Sequence, residues 1–553
     1  MVSYSLDSEV VRMTVLIGDK LRDYISVSLE YQRNFVQQVI EYCNSDSRNL
    51  CVVFGLRRTG KTYGMQQAIL LQSKYVSWSK MGLIICDESD DLFRLYDEVQ
   101  NFKNAGGKYL FIDEVTFLPE FIDYAHNLAN VYTCGGMKIV LSGTHSYAFI
   151  LAASDTLYDR CIFINTSNIG FKEFVNLTKR DSLKEFIQFG GLFQTGKLGN
   201  PFTHNGFINS NGIRQYINTA IVENIVHSLR TYKDGKLLQE DSIPQVRNYV
   251  YSVILSRTHS MIDKIMNPLK LQELNGVLDL PRFKDSLSKD YRSKIKSNIT
   301  AKFLDIFDYN TDTELNPVTA SYVDEALVEM GILFPVSDMY LDSDSITFQY
   351  GSSNILNPIA IRTFITDWVL NEVHTLSEPN LEQSVKDMAD GFINEEIVRF
   401  ELMQQYRSGN LHTLNFMSSK DRGEIDFIII DGNKVNLYEL KNSSKIVDNQ
   451  AKHLCNKDVM NAFIERGYQI GKRAVIYNGI TTVHVVNGIE IKYVNISEFL
   501  RNIEDRGCIE SYKEAGRISA REERKSGRLS KIYESIGYGS NGYGSESNHT
   551  HEF

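Results

Sequence analysis

The chain has 553 residues, 42% hydrophobic and 23% charged, a length that calls for about three domains, each burying its own core. A net charge of −10, from 59 basic and 69 acidic side chains, excludes a protein that coats nucleic acid over its whole surface, while a local basic groove stays open. No apolar run reaches the ~18 residues of a membrane span. The first residues, with Asp7 and Glu9 and no basic lead, do not read as a signal peptide. Seven scattered cysteines without a C-x-x-C pair favour reduced, buried thiols over disulfides or zinc. The expectation is a soluble, cytoplasmic protein with no membrane contact.

In chain order, Arg33 to Tyr42 carries an apolar stripe (Phe35, Val36, Val39, Ile40) and predicts a helix. The runs Cys51–Phe54, Leu83–Cys86, Tyr109–Ile112, Lys138–Leu141 and Cys161–Ile164 alternate with helix-length segments, which predicts a parallel α/β sheet. The first run leads into Gly55-Leu56-Arg57-Arg58-Thr59-Gly60-Lys61-Thr62, the G-x-x-x-x-G-K-[ST] spacing of a phosphate-binding loop. Its glycines let backbone N–H groups turn towards phosphates, Lys61 reaches the β and γ oxygens, and the Thr62 hydroxyl can ligate Mg²⁺. ATP and Mg²⁺ are the cofactors expected, with Gly55, Arg57, Arg58, Thr59, Gly60, Lys61 and Thr62 as the binding loop.

The third run ends in Asp113-Glu114. A carboxylate at that strand tip suits Mg²⁺, and Glu114 is placed to polarise an attacking water. The fourth run ends in Ser142-Gly143-Thr144-His145, where Ser142 or Thr144 is expected to sense the γ-phosphate or orient the water. His145 reads more readily as a polar surface residue than as a ligand or base. Arg160, just before the fifth run, suits either a charge offered to the transition state, in cis or from a neighbouring subunit, or a structural ion pair.

From Phe186 to Val373 helical stripes replace the strands, one of them running through Tyr216, Ile217, Ala220, Ile221, Ile225 and Val226. Gly196 to Gly212, rich in Gly and Asn, reads as a loop. Tyr322 to Phe334 predicts a helix stopped by Gly331, followed by a strand pair at Met339–Leu341 and Thr347–Tyr350, the build of a winged helix. Its surroundings are acidic (Asp324, Glu325, Glu329, Asp338), so it reads as a packing or protein-contact module rather than a DNA reader.

Further on, Gly423-Glu424-Ile425-Asp426 opens a strand, Asp431-Gly432-Asn433 marks a hairpin turn, and Val435–Leu440 returns with Glu439, followed by Lys441. Asp426 and Glu439 can meet across the hairpin. Two carboxylates for a metal with a lysine beside them are equipment for phosphodiester hydrolysis, although such charges also occur on solvated hairpins. Further strands are expected at Ala474–Tyr477, Val483–Val486 and Ile489–Tyr493, and a helix from Asn495. From Arg517 the sequence is charged and then Gly/Ser/Tyr-rich, a composition that buries no core and reads as disordered.

The chain resembles a prokaryotic family of AAA-like ATPases whose loop reads G-x-R-R-x-G-K-T and whose C-terminal part is a PD-(D/E)xK nuclease-like domain. The resemblance rests on Arg57 and Arg58, on LFIDE at 110–114, on VLSGTHS at 140–146, on Leu157-Tyr158-Asp159-Arg160, on Ile169 to Phe174, and on Gly190 to Phe193. It extends to Asp426, Glu439 and Lys441 and to the Gly391–Leu402 helix, and it implies Glu395 as a third metal-binding acid, with Glu401 as its substitute. Phe416-Met417 replaces the family's usual aromatic and arginine. The resemblance also implies slow, switch-like ATP hydrolysis.

The expected partition is a P-loop ATPase domain at 1–180 and a helical and winged-helix-like section at 181–375. A restriction-endonuclease-like α/β domain at 376–510 and a tail at 511–553 follow. The expected function is a nucleotide-controlled nuclease-like domain acting on DNA or RNA, with a metal at Glu395, Asp426 and Glu439, a protein partner at the winged-helix-like section, and oligomers permitted. The alternatives are an ATP-dependent switch whose nuclease fold only binds, and a nuclease with a relic P-loop.

Overall fold

Leu50–Phe54 is buried at every position, a run that only a strand covered on both faces can hold. The computed structural model describes residues 13–166, 168–193, 210–232, 238–239, 242–266, 285–310, 314–341, 346–356, 359–375, 379–405, 411–417, 422–503 and 509–510. The strands in chain order are β1 (Leu16–Ile17), β2 (Leu50–Phe54), β3 (Met81–Ile85), β4 (Tyr109–Asp113), β5 (Lys138–Ser142), β6 (Cys161–Asn165), β7 (Leu333–Leu341) and β8 (Ile346–Leu356). They continue as β9 (Leu411–Met417), β10 (Arg422–Asp431), β11 (Lys434–Lys441), β12 (Gln469–Tyr477), β13 (Thr482–Val486), β14 (Ile489–Asn495) and β15 (Ile509–Glu510).

The first sheet has the order β1-β3-β4-β5-β2-β6-β15. β3, β4, β5, β2 and β6 are mutually parallel, and the short β1 and β15 close the two edges antiparallel. The five apolar runs thus form the expected parallel sheet. Helix Lys61–Gln72 follows β2 and packs against helix Asn34–Asn44, burying Phe35, Val36 and Val39 against Met65, Ala68 and Ile69.

Among the described residues, the middle section shares its core with its neighbours. Tyr216, Ile221 and Ile225 of a continuous helical run, Ser210 to Thr231, share one cluster with Leu50, Ile112 and Tyr147 of the ATPase and with Val323, Trp368 and Val385 further on. Helices Phe171–Thr178 and Leu183–Phe189 pack instead with Ile393, Ile397, Phe427 and Ile476 of the C-terminal region.

The second sheet is mixed, with the order β13-β14-β12-β11-β10-β9-β7-β8. β9, β10 and β11 form an antiparallel meander, β12 runs parallel to β11, and β14 parallel to β12. The hairpin β7–β8, expected as the wing of a winged helix, extends this sheet: β7 pairs parallel with β9 from Ser337↔His412 to Leu341↔Phe416. Its partner is therefore an otherwise open edge within the same chain. The second sheet thus takes strands from both sides of position 375, while β15, from the C-terminal region, joins the first. The expected 196–212 loop lies almost wholly outside the described residues, Ser210 to Gly212 being helical, and the tail beyond 510 lies outside them entirely.

No helix among the described residues is long and apolar enough to cross a membrane. Six described cysteines are free, and Cys43, Cys51, Cys86 and Cys455 are buried.

Close packing of the P-loop helix gives a direct stability test. A Cβ on Gly64 would lie 2.2 Å from Cζ of Phe35, which is buried. Gly64→Ala gains helix propensity of about 1 kcal/mol but overpacks by about 1–3 kcal/mol. A net loss of stability of up to about 2 kcal/mol is expected in urea unfolding, whereas an exposed helix glycine would show a gain.

Candidate functional site: the P-loop and the carboxylates around it

The loop between β2 and its helix is built on left-handed backbone. Gly60 has φ 86° and Gly55 φ 146°, and a Cβ at Gly55 would sit 2.4 Å from Thr166 Oγ1. Helix Lys61–Gln72 begins with no side-chain cap, so its first amides are free to meet an anion. Lys61 Nζ donates to the carbonyls of Gly55 (2.7 Å) and Leu56 (2.9 Å). Burial pushes the Lys61 ammonium down to about 8, against the pull of Glu114 and Asp113.

The loop is held from behind by groups far away in sequence. Thr59 Oγ1 donates to Leu56 O (2.9 Å) and meets Thr166 Oγ1 at 2.8 Å, so its hydroxyl serves the loop. Arg33 donates to the Thr59 carbonyl and pairs with Glu173 at 2.7 Å, with both side chains buried. Losing one member of a buried pair of this kind costs about 3–5 kcal/mol. Phe193 N donates to Arg58 O at 2.8 Å, and the Phe193 ring covers Gly60. Arg58, itself at φ 69°, stacks on Tyr216 at 5.8 Å, and the Tyr216 hydroxyl meets the Arg57 carbonyl at 3.5 Å. The doubled arginine thereby ties the loop to the helical section.

β4 and β5 deliver the acids beside Lys61. Asp113 is buried and accepts from the Ser142 hydroxyl and from Glu114 N (3.0 Å). Ser142 is fully buried, and its hydroxyl fixes Asp113. Glu114 sits at φ 57° and its two carboxylate oxygens accept from Thr144 N and Thr144 Oγ1, both at 2.8 Å. The Thr144 carbonyl in turn accepts from Asn224 at 3.3 Å, linking Glu114 to the helical run. Thr62, exposed in the first helical turn, and Asp113 are the residues that fit a Mg²⁺ beside bound phosphates. There the ion would offset phosphate charge.

His145 is not a surface residue. It is buried, stacks on His227 with ring centroids 3.8 Å apart, and is pushed down to about 3 by burial and by His227, so it stays neutral at physiological pH. Arg160 lies at the wrong end of the sheet for a cis role. Its carbonyl accepts from Leu50 N at the start of β2, while the loop follows the far end at Phe54. Its side chain holds Asn130 and the Thr156 carbonyl at 3.1 and 3.2 Å.

Residues 47–175 match the AAA domain family. The chain thus carries an AAA-type P-loop ATPase domain. Residues 390–499 match a domain of unknown function, DUF4143. Among solved structures the chain is similar to the S. cerevisiae Hsp104–ADP complex, at 13% identity and TM-score 0.22, over 69% of this chain and 49% of that one. It is also similar to the Aeropyrum pernix Orc1 protein in complex with DNA, at 11% identity and TM-score 0.23, over 62% of this chain and 94% of that one. The chain spans about half the length of the Hsp104 chain, 49%. No curated protein matches it.

In the DUF4143 region, Asp426 and Glu439 face one another across β10 and β11, one step beyond the Phe427–Tyr438 pair. Asp426 accepts from Leu440 N at 2.7 Å, and burial together with Glu439 pushes its carboxyl well above the carboxylate range. Glu439 is buried and pairs with Lys441 at 2.6 Å and with His453 at 3.3 Å. Burial works against the Lys441 ammonium, yet Glu439 and Asp426 hold its pKa above the ordinary value.

Glu395 is engaged by Arg399, four residues on, at 2.8 Å. Among the described residues no three acidic, His or Cys side chains converge as a metal cage. Helix spacing gives Glu395 an arginine partner of its own, while its charge still acts on Asp426. Glu401 points elsewhere, accepting from Phe171 N of the AAA domain at 2.5 Å. Sequence reasoning missed Arg33, Glu173 and Asn224. Glu173 lies inside the Ile169–Phe174 stretch of the resemblance, whereas Arg33 carries no sequence signal.

Two outcomes follow for the AAA domain. Bound phosphates favour charged Lys61, so nucleotide binding takes up a proton between about pH 8 and the unperturbed 10.5. Affinity should fall by up to about tenfold per pH unit above pH 8. Calorimetry in buffers of different ionisation enthalpy reads the proton uptake, which Lys61→Ala should abolish. Glu114→Gln should keep nucleotide affinity within a few-fold and lower ATP turnover by about 10²-fold or more.

Proposed function

We propose that this chain is an ATPase whose nucleotide state acts on its C-terminal domain, and that Asp426, Glu439 and Lys441 form the phosphodiester-directed site of a PD-(D/E)xK nuclease-like domain acting on DNA or RNA. One observation carries the reading. A single helix, Pro379–Gln405, bears Glu395 and Arg399 beside Asp426 and also Glu401 against the AAA domain, so the two sites share one stiff element.

Several features support the nuclease-like part. A helix, three antiparallel strands, the helix Lys457–Glu465 and a parallel fourth strand follow in that order, with Asp426 on β10 and Glu439 and Lys441 at the end of β11. Burial and the neighbouring Glu439 raise the proton affinity of Asp426, and two carboxylates set side by side are a donor set that fits Mg²⁺ with two protein ligands. Bound there, the ion would offset charge on a phosphate. Lys441, kept protonated by its acidic neighbours, would bind a phosphate oxygen. Arg160, remote from its own loop, is available only to a neighbouring subunit's nucleotide, which makes its expected catalytic part a matter of assembly.

A second reading, a nuclease fold that binds without cutting, is favoured by the Glu395–Arg399 and Glu439–Lys441 pairs, which neutralise the site from within. An assay on single-stranded DNA, double-stranded DNA and RNA, with Mg²⁺ or Mn²⁺ and with or without ATP, separates the two. Cleavage is expected, reduced about 10²-fold or more in Lys441→Ala, with Lys61→Ala removing only its dependence on ATP. No cleavage of any substrate, with nucleotide still altering nucleic-acid binding, would establish the second reading.

A further inference from the structure

Glu401 belongs to neither reacting centre, yet it is buried where the two halves of the molecule meet. Its Oε1 accepts from Phe171 N at 2.5 Å at the start of helix Phe171–Thr178, where a carboxylate is favoured by the helix's free amides and dipole. Gly170 leaves room for it, because an added Cβ there would stand 2.8 Å from both carboxylate oxygens. One half-turn on, Glu173 is held between Arg33 Nε (2.7 Å) and Asn34 N (2.8 Å). Arg33 completes the chain by donating to the Thr59 carbonyl within the P-loop, and its guanidinium lies over the rings of Phe35 and Phe193, 5.6 and 5.9 Å away.

We propose that Glu401 is a positioning residue for the nucleotide site, acting through helix Phe171–Thr178, Glu173 and Arg33 on the Thr59 carbonyl. Each link is buried and either charged or charge-assisted, so water cannot replace a lost partner at low cost. Displacement at one end must be followed by the next group or leave a charge unpaired. The junction is not packed solid: a cavity of about 210 Å³ lies beside the same chain of contacts, lined by Leu56, Thr59, Thr166, Phe334, Phe400 and Gln404. The loop therefore has space on that side in which to shift against the helix that carries Glu401. Glu401 is six residues from Glu395, about 240° around the helix, so one rigid rod presents one acid to the AAA domain and the other towards Asp426.

The inference rests on the P-loop being the nucleotide site, and the test keeps the two apart. Fluorescent ADP affinity is measured on wild type, Lys61→Ala, Arg33→Ala, the near-isosteric Glu401→Gln, and Arg33→Ala/Glu401→Gln. Glu401→Gln is expected to weaken binding about tenfold, Arg33→Ala by at least as much, and the double variant no more than the weaker single variant. Free energies that simply add in the double variant, or full affinity in Glu401→Gln, overturn the positioning role while leaving the P-loop reading intact. Normal affinity in Lys61→Ala overturns both. A readout on the unmutated full chain guards against variants that fold poorly: ADP should slow hydrogen exchange at Phe171 N and along Glu395–Gln405, and unchanged exchange there, with the P-loop protected, also overturns the proposal.

Discussion

A loop that presents several backbone amides to one point has to hold left-handed residues side by side, and nothing local favours that arrangement. In this chain the strain is met from behind. Thr166, which follows β6, bonds Thr59 and the Phe54 carbonyl, Phe193 seals Gly60, and Arg33 takes the Thr59 carbonyl. Three segments well separated in sequence thus fix eight residues of loop. The depressed Lys61 is a consequence of the same enclosure, because an ammonium buried among carbonyls has lost water without yet gaining a full counter-charge.

The acids next to it follow from the sheet. Parallel strands of nearly equal length bring Asp113 and Ser142 to the same level at the ends of β4 and β5, so the serine hydroxyl meets the aspartate. Glu114, turned by its positive φ, is clasped by Thr144 at the next strand tip, and Asn224 carries that contact into the helical run. Stacked on each other, His145 and His227 fill the space behind, with Thr116 bonded to His145 N and, through its carbonyl, to His227. The acids of the second sheet sit differently. Asp426 and Glu439 sit side by side on paired strands, Asp426 bonded by Leu440 N and Glu439 paired with Lys441 and His453, whereas Asp113 and Glu114 each have a partner hydroxyl.

Much of the first sheet was legible because a strand buried on both faces leaves a contiguous apolar run, and helices between such runs force parallel crossovers. The P-loop and the carboxylates of β4 and β10–β11 were legible as spacing. Partnership was not. The β7–β8 hairpin shows the same alternation whether it stands as a wing or extends a sheet, and only the free edge of β9 decides. His145 reads as polar in a string of letters, but the space between β5 and the helical run turns it into core. Glu395 and Glu401 look exchangeable by type, although their angular separation on one helix sends them to different partners.

The sequence by itself determined the ATPase: a phosphate loop after a buried strand, acids at the next strand tips, and the alternation that sets them in one parallel sheet. Those features are local or periodic, so they are written in consecutive residues. Only the tertiary structure decided which acids work together, that Arg160 stands at the sheet end away from its own loop, and that Arg33, Glu173 and Glu401 join the loop to the C-terminal region. Such pairings depend on which surfaces are buried against each other across hundreds of residues, and a charge reveals its partner only once water has been excluded from around it.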